Sequence, residues 1–405
     1  MRSFSAIVFT GQSANGILSW FTEAFATRAK MFGIPVSLIN LGDKDFPGKI
    51  NKVLGEGRPG FCFSFQGFGM GLGVESGNLW DQLNIPFFSV MGDAPFHSPQ
   101  LHASIGRSLY HLYVCEDFQE VYRNAMKGRN FSMVTDYFYP SNPFADDISW
   151  RERDLELVYV KTGVDPGKIR AQWSEFSKLL REILEDAASA ALTIQEKSIG
   201  QIVADSFAVR NIYLGERITL YLRVCSAVDF YVRAVRAERM LRQVMRHSGH
   251  IFGAWPHVDS TNTRAKFHGS IPASELDRVY ARSRILVNIA PSTVNYVHER
   301  ILAAFMGKSF IISDGSAFVN KKLQAFKTFM SIPNNASDLG DAFDARISEI
   351  RGMSVSARHD LAQMLEDSRR LAENEFGIDR FINEILDLAL LHTIEEKSEF
   401  WKYPR

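Results

Sequence analysis

The stretch Ile285-Leu286-Val287-Asn288-Ile289-Ala290-Pro291-Ser292-Thr293-Val294-Asn295-Tyr296-Val297-His298-Glu299-Arg300 starts with apolar residues of strand type. It passes through a small polar loop at 290–295 and ends on the first charges of an apolar-faced helix, 297–306. Upstream lie His268-Gly269-Ser270-Ile271-Pro272, Glu275-Leu276, Tyr280 and Ser283; downstream a second apolar run, 310–312, closes on Ser313-Asp314. Pro272 suits the first turn of a helix over 272–281, where no amide partner is lost. The order strand, helix, strand, loop, helix, strand predicts a parallel sheet with helices on its faces. Ligands of such sheets bind beyond the C-terminal strand ends, beside helix N-termini whose amides and dipole favour phosphate. Arg300 offers a diphosphate a planar fork of donors. Glu299 can accept from sugar hydroxyls. The plainer readings are a helix cap for His298, a surface pair for Arg300 and a chain turn for Asp314.

The same rhythm fills the first 140 residues. Strands are expected at 6–9, 36–39, 60–65, 86–90 and 109–114, and helices at 17–32, 50–54, 78–83 and 118–126. Ser141-Asn142-Pro143-Phe144-Ala145-Asp146-Asp147 breaks it with turn formers and sets the boundary between a first domain, 1–145, and a second, 146–390, with a tail at 391–405. Within the second domain a strand at 155–160 precedes a helical region over 165–245, read as packing, and strands follow at 251–254, 266–269, 285–289, 310–312 and 329–332.

The chain has 405 residues, 46% hydrophobic and 23% charged, ordinary for a folded two-domain protein. Lys plus Arg and Asp plus Glu are 46 each, so there is no strong basic field of the kind a dedicated nucleic-acid binder uses. Cys62, Cys115 and Cys225 are far apart and read as buried thiols. No apolar run is long enough to span a bilayer. A cytoplasmic location is expected, with peripheral membrane contact left open.

The block from His268 to Asp314 resembles the C-terminal domain of GT-B glycosyltransferases, particularly the bacterial CgeB-like and group-1-like families. Gly269, Glu275, Leu276, Tyr280, Ser283, Val287, Asn288, His298, Arg300, Ile311, Ile312, Ser313 and Asp314 carry the likeness. It implies two Rossmann-like domains facing a central cleft, an acceptor domain at the N-terminus and a nucleotide-sugar donor domain at the C-terminus. It implies a glycosyltransferase moving a sugar from a nucleotide-diphosphate donor to an acceptor, protein or glycan. The nucleotide sugar is a substrate; no cofactor and no metal are expected. His268, Asn295, His298, Glu299, Arg300 and Asp314 are the donor-binding candidates of the block. Lys161 and Gly163 join them, since the loop after the first strand of a GT-B donor domain often faces the diphosphate. Two features depart from the family pattern. Leu302-Ala303-Ala304 stands where an acidic residue is usual, and Gly307-Lys308 displaces a glycine. No E-x7-E occurs, so nothing supports a retaining mechanism. A non-catalytic nucleotide-sugar binder of the same fold is the alternative.

Other motifs add candidates. Trp255, after the strand at 251–254, could stack on the donor base or pack in the core. Gly163-Val164-Asp165-Pro166-Gly167-Lys168 is one residue short of a P-loop, and Ile169 replaces the hydroxyl residue. Gly11, Gln12 and Asn15 lie in a polar loop before a helix and read as an acceptor loop. Gly67, Gly69, Gly71 and Gly73 alternate, either as a plain turn or as backbone approached by a ligand. None of these is a G-x-G-x-x-G fingerprint, which an NAD-linked oxidoreductase would need. Asp93 and His97 follow the strand at 86–90 and are the candidate catalytic bases for an acceptor hydroxyl.

Overall fold

A computed structural model describes residues 4–13, 16–75, 77–126, 130–139, 148–194, 196–214, 217–333, 338–356 and 358–397. The expected linker 141–147, Asn15 and most of the expected tail lie outside these residues. The chain divides into two compact units: Met1–Pro140 with Glu375–Arg405, and Ser141–Asn374. Residues 375–390, expected in the second domain, therefore belong with the first.

Unit 1 is one parallel sheet of β1 (Ala6–Thr10), β2 (Val36–Asn40), β3 (Phe61–Phe65), β4 (Phe87–Met91), β5 (Leu109–Tyr113) and β6 (Phe131–Val134). The strand order is β2-β1-β3-β4-β5-β6. β1, β3, β4 and β5 are buried throughout, as strands covered on both faces must be. β6 was not expected; its ends are exposed and its sequence shows no clean alternation. The helix Ile378–Lys397 completes this unit. Phe381 packs against Phe138, Phe63 and Phe25 at ring-centroid distances of 4.6, 5.9 and 6.1 Å. Asp379 takes a two-pronged bond from Arg28 on the helix Ile17–Met31.

Unit 2 is a second parallel sheet of β7 (Leu155–Val160), β8 (His250–Phe252), β9 (Lys266–Gly269), β10 (Ser283–Asn288), β11 (Phe310–Asp314) and β12 (Phe329–Ile332). Its order is β9-β8-β7-β10-β11-β12. Numbered within the unit this is 3-2-1-4-5-6, the order of the doubly wound dinucleotide-binding folds, which reverses between the first and fourth strands. Between β7 and β8 the chain makes a helical layer: Pro166–Ala171, Lys178–Thr193, Ile199–Ala208 and the 29-residue helix Ile218–Arg246. Ser198 and Gln201 form a reciprocal cap at one helix start. Within the region read as packing, Leu179 is exposed, whereas Trp173 and Ile183 are buried. The core joins Tyr159, Ile251, Ile285, Val287, Phe310 and Ile312 to Met240 and Val244 of the long helix.

Both units are thus α/β with parallel, doubly wound sheets, the two Rossmann-like folds expected. All three cysteines are buried.

Candidate functional site

In unit 2 the strand order reverses between β7 and β10, and the loops leaving their C-terminal ends carry the charged residues. The helix Glu299–Met306 begins beside them. His298 is its N-cap, one residue ahead of the first turn in which it was expected. The imidazole is buried and flanked on both sides. Nδ1 lies 2.8 Å from Glu299 Oε2, and Nε2 lies 3.0 Å from Arg300 Nη2. Burial, followed by the Arg300 charge, holds the His298 ring neutral, at about 4. A neutral imidazole has one donor and one acceptor. A carboxylate can only accept and a guanidinium only donate, so the proton belongs on Nδ1 and the lone pair on Nε2. With its proton on Nδ1, that nitrogen has no lone pair left for the Arg300 amide, which lies 3.2 Å away. Burial alone would raise the Glu299 carboxyl. The hydrogen bond from His298 and the charge of Arg300 outweigh it and bring the group to about 2. The Tyr296 hydroxyl also donates to Glu299 Oε2 at 3.1 Å.

Arg300 donates from Nε to Asn288 Oδ1 at 2.9 Å and from Nη2 to the Ile289 carbonyl at 3.2 Å. Asn288 is in turn fixed by its amide bond to Ser313 Oγ, 2.9 Å away. These contacts set the plane of the guanidinium and leave Nη1 without a hydrogen bond among the described residues. Asp314, at the end of β11, accepts from the Ala290 amide at 2.6 Å and so pins the loop after β10. Burial raises its carboxyl to about 6.

The loop after β7 is locked to β8. The Trp255 indole donates to the Lys161 carbonyl at 2.7 Å, and Gly163 N donates to the Ala254 carbonyl at 2.9 Å. Two glycines are required here. A Cβ on Gly163 would stand 1.9 Å from the Trp255 ring. One on Gly253, at φ 129°, would stand 2.1 Å from the Lys161 carbonyl. Trp255 itself is a core residue, 6% exposed and packed on Tyr159. Of its two readings, packing in the core is the one seen: its face is used internally, and its indole braces the Lys161 turn. Burial, then Arg300 and Arg233, pull the Lys161 ammonium down to about 7.

His268 does not join this group. It is exposed on β9, the outermost strand, stacked on Phe252 at 4.4 Å with Nε2 2.9 Å from His250 Nδ1. Asn295 is half-buried in the loop before the helix. The long helix Ile218–Arg246 adds residues that had been read as packing. Asp229 and Arg236 are buried in its apolar stripe, and Arg233 pairs with Asp229 at 2.7 Å. Charges seven residues apart on an otherwise apolar face were the available signal.

In unit 1, Asp93 is exposed after β4 and accepts from Gln66 Nε2 at 2.7 Å. His97 follows in the same loop, its ring 4.8 Å from that of Phe96. Gly11 is buried against Phe68, and Gln12 is exposed. The alternating glycines form a turn folded onto the sheet: a Cβ on Gly69, at φ 79°, would meet the Phe9 ring at 2.8 Å, and the Trp80 indole donates to the Gly69 carbonyl. The plain-turn reading therefore holds for Gly69. No group of three or more metal-ligating side chains is found among the described residues. No helix among them is long and apolar enough to cross a membrane.

No protein-family model matches the chain, and no curated protein is similar to it. Solved structures of similar shape include a glycosyltransferase from Rickettsia africae, with 9% identity, TM-score 0.44, and 97% of this chain and 99% of that one covered. T4 phage BGT in complex with its UDP-glucose substrate gives 9% identity, TM-score 0.49, and 95% and 98% coverage. Sucrose-phosphate synthase from Thermosynechococcus elongatus gives 10%, 0.48, and 97% and 100%.

Proposed function

We propose that the chain is a GT-B glycosyltransferase of the CgeB-like or group-1-like kind that moves a sugar from a nucleotide diphosphate to an acceptor, protein or glycan. Unit 2 holds the donor and unit 1 the acceptor. The observation that carries this reading is the set of Lys161 and Arg300 at the reversal point of the unit 2 sheet. Arg300 is oriented by Asn288, Ile289 and His298 and keeps Nη1 unused, beside the N-terminus of the helix Glu299–Met306. Oriented cations at a helix start favour a diphosphate more than they favour a neutral ligand.

In the transfer, the bond between the anomeric carbon and the diphosphate oxygen breaks. Its electron pair leaves with the diphosphate, where Lys161 and Arg300 stabilise the growing charge without a metal. The acceptor oxygen bonds the anomeric carbon and gives its proton to Asp93 or His97. Gln66 holds one Asp93 oxygen and so fixes the carboxylate in that loop.

The test is transfer from a panel of nucleotide sugars to added acceptors by Asp93→Asn and His97→Asn. Loss of the true base lowers kcat by about 100-fold or more with donor affinity unchanged. Donor binding without transfer in the wild type, across protein and glycan acceptors, would leave only a binding protein.

A further inference from the structure

Arg236 is the most buried cation near the reversal point, at 8% exposure. Its Nη2 donates to the Ala191 carbonyl at 2.7 Å, at the end of the helix Lys178–Thr193. Its Nε is buried and has no hydrogen-bond partner among the described residues. A buried donor left unmet costs free energy unless a ligand or water meets it. Arg236 forms a wall of a pocket of about 30 Å³, with Thr293, Asp314, Ser316, Ala290 and Val319 around it. That volume holds roughly two water-sized groups. The pocket adjoins the Arg300 site through the chain itself: Ile289 accepts from Arg300, and the next residue, Ala290, donates to Asp314.

The chemistry of the walls selects the occupant. A guanidinium only donates and an ionised carboxylate only accepts. An anion would be attracted by Arg236 and repelled by Asp314. An apolar group would satisfy neither. A hydroxyl both accepts and donates, and two neighbouring hydroxyls fill the volume. Ala290 and Val319 add apolar surface suited to the C–H edge of a sugar ring.

We propose that Arg236 is a specificity-determining residue whose guanidinium, together with the Asp314 carboxylate, reads two neighbouring hydroxyls of the sugar carried by the nucleotide. This rests on the nucleotide-sugar reading above and adds a determinant from the helical layer.

The full chain is titrated calorimetrically with UDP-, GDP-, ADP- and dTDP-glucose and with the four matching diphosphates. The wild type, Arg236→Met and Arg236→Lys are compared, and the best ligand is repeated as its monodeoxy analogues. The wild type is expected to prefer the nucleotide sugar to its diphosphate by about 10-fold or more. Arg236→Met removes that preference and leaves diphosphate affinity unchanged. A deoxy analogue loses the same factor on the wild type and nothing further on the variant. A variant that weakens both ligands equally, or neither, overturns the role of Arg236 and leaves the nucleotide-sugar reading standing. A wild type that binds none of the eight ligands overturns that reading itself. Should Arg236→Met lose its thermal transition, Arg236→Lys makes the same comparison, since it keeps the charge but not the planar fork of donors.

Discussion

The two sheets reverse their strand order at different places and furnish the reversal with different chemistry. In unit 1 it falls between β1 and β3, whose following loops are Gly11-Gln12-Ser13 and Gln66-Gly67-Phe68-Gly69. Glycine backbone, small hydroxyls and amide side chains line them. In unit 2 it falls between β7 and β10, and Lys161, Glu299, Arg300 and Asp314 gather near it with Arg233 and Arg236 from the long helix. The fold supplies the same kind of crevice twice, but only one is charged. Unit 2 can hold an ionic ligand firmly; unit 1 has polar surface suited to a neutral, hydroxyl-bearing one. Their cores differ too. Unit 1 has a seam of Phe25, Phe63, Phe65, Phe138 and Phe381, whereas the unit 2 core is largely aliphatic.

The comparison breaks most completely at Gly253. Gly253→Ala puts a methyl against the Lys161 carbonyl in a backbone region alanine avoids. It should cost unit 2 about 3 kcal/mol or more in denaturant unfolding and leave the unit 1 transition in place.

Acid separates the units next. Burial holds His102 at about 3 and His111 at about 4 in unit 1, and both His111 nitrogens are buried without a hydrogen bond among the described residues. Below about pH 6.5 the unfolded chain takes protons on these rings and the folded chain does not. Stability present at neutral pH is therefore lost as the pH falls from 6.5 towards 4, by about 3 kcal/mol for His111. In unit 2, His298 behaves the same way, but Asp314, raised to about 6, binds a proton in the folded state and offsets part of the loss. Unit 1 should unfold first on acidification, and His111→Phe should flatten its pH dependence in circular dichroism melts.

Arg300→Met should weaken nucleoside diphosphate binding about 10- to 100-fold by calorimetry. Because Lys161 sits at about 7 in the free chain, binding of a diphosphate should also take up a proton. Affinity then falls as the pH rises above 7, and the proton shows as a dependence of the heat on buffer ionisation. Unit 1, with no such lysine at its reversal point, supplies no matching proton. The smallest effect belongs to Trp255→Phe, which removes the bond to the Lys161 carbonyl and should lower stability by about 1 kcal/mol.

Most of the fold was readable because both sheets are parallel and buried, so strands appear as short apolar runs such as Phe61–Phe65 and Phe310–Asp314. Three things escaped. β6 is half-exposed and lacks the apolar run that marked its neighbours. The membership of the helix Ile378–Lys397 depends on Phe381 and Asp379 meeting residues over 200 positions away, and no local signal carries that. Within the site, Arg300, His298, Glu299 and Asp314 follow one strand–loop–helix–strand word, and the fold brings them together with Lys161. Arg236 does not, since an arginine in a helix reads as a solvated face until packing buries it. Trp255 stood open between stacking on a base and packing in the core, because an aromatic residue at a strand end looks available until the glycine beneath it is known.

The helix Ile378–Lys397 also fixes an order of events. A ribosome releases β1 to β6 first and the whole of unit 2 second, and only then the helix whose Phe381 closes the aromatic seam of unit 1. Chains generally fold domain by domain from the N-terminus during synthesis. Here the earlier-made unit must wait, with Phe25, Phe63 and Phe138 uncovered, while the later-made one finishes. The nascent chain is thus most exposed to chaperones and proteases through its oldest part, until Phe381 docks on the seam.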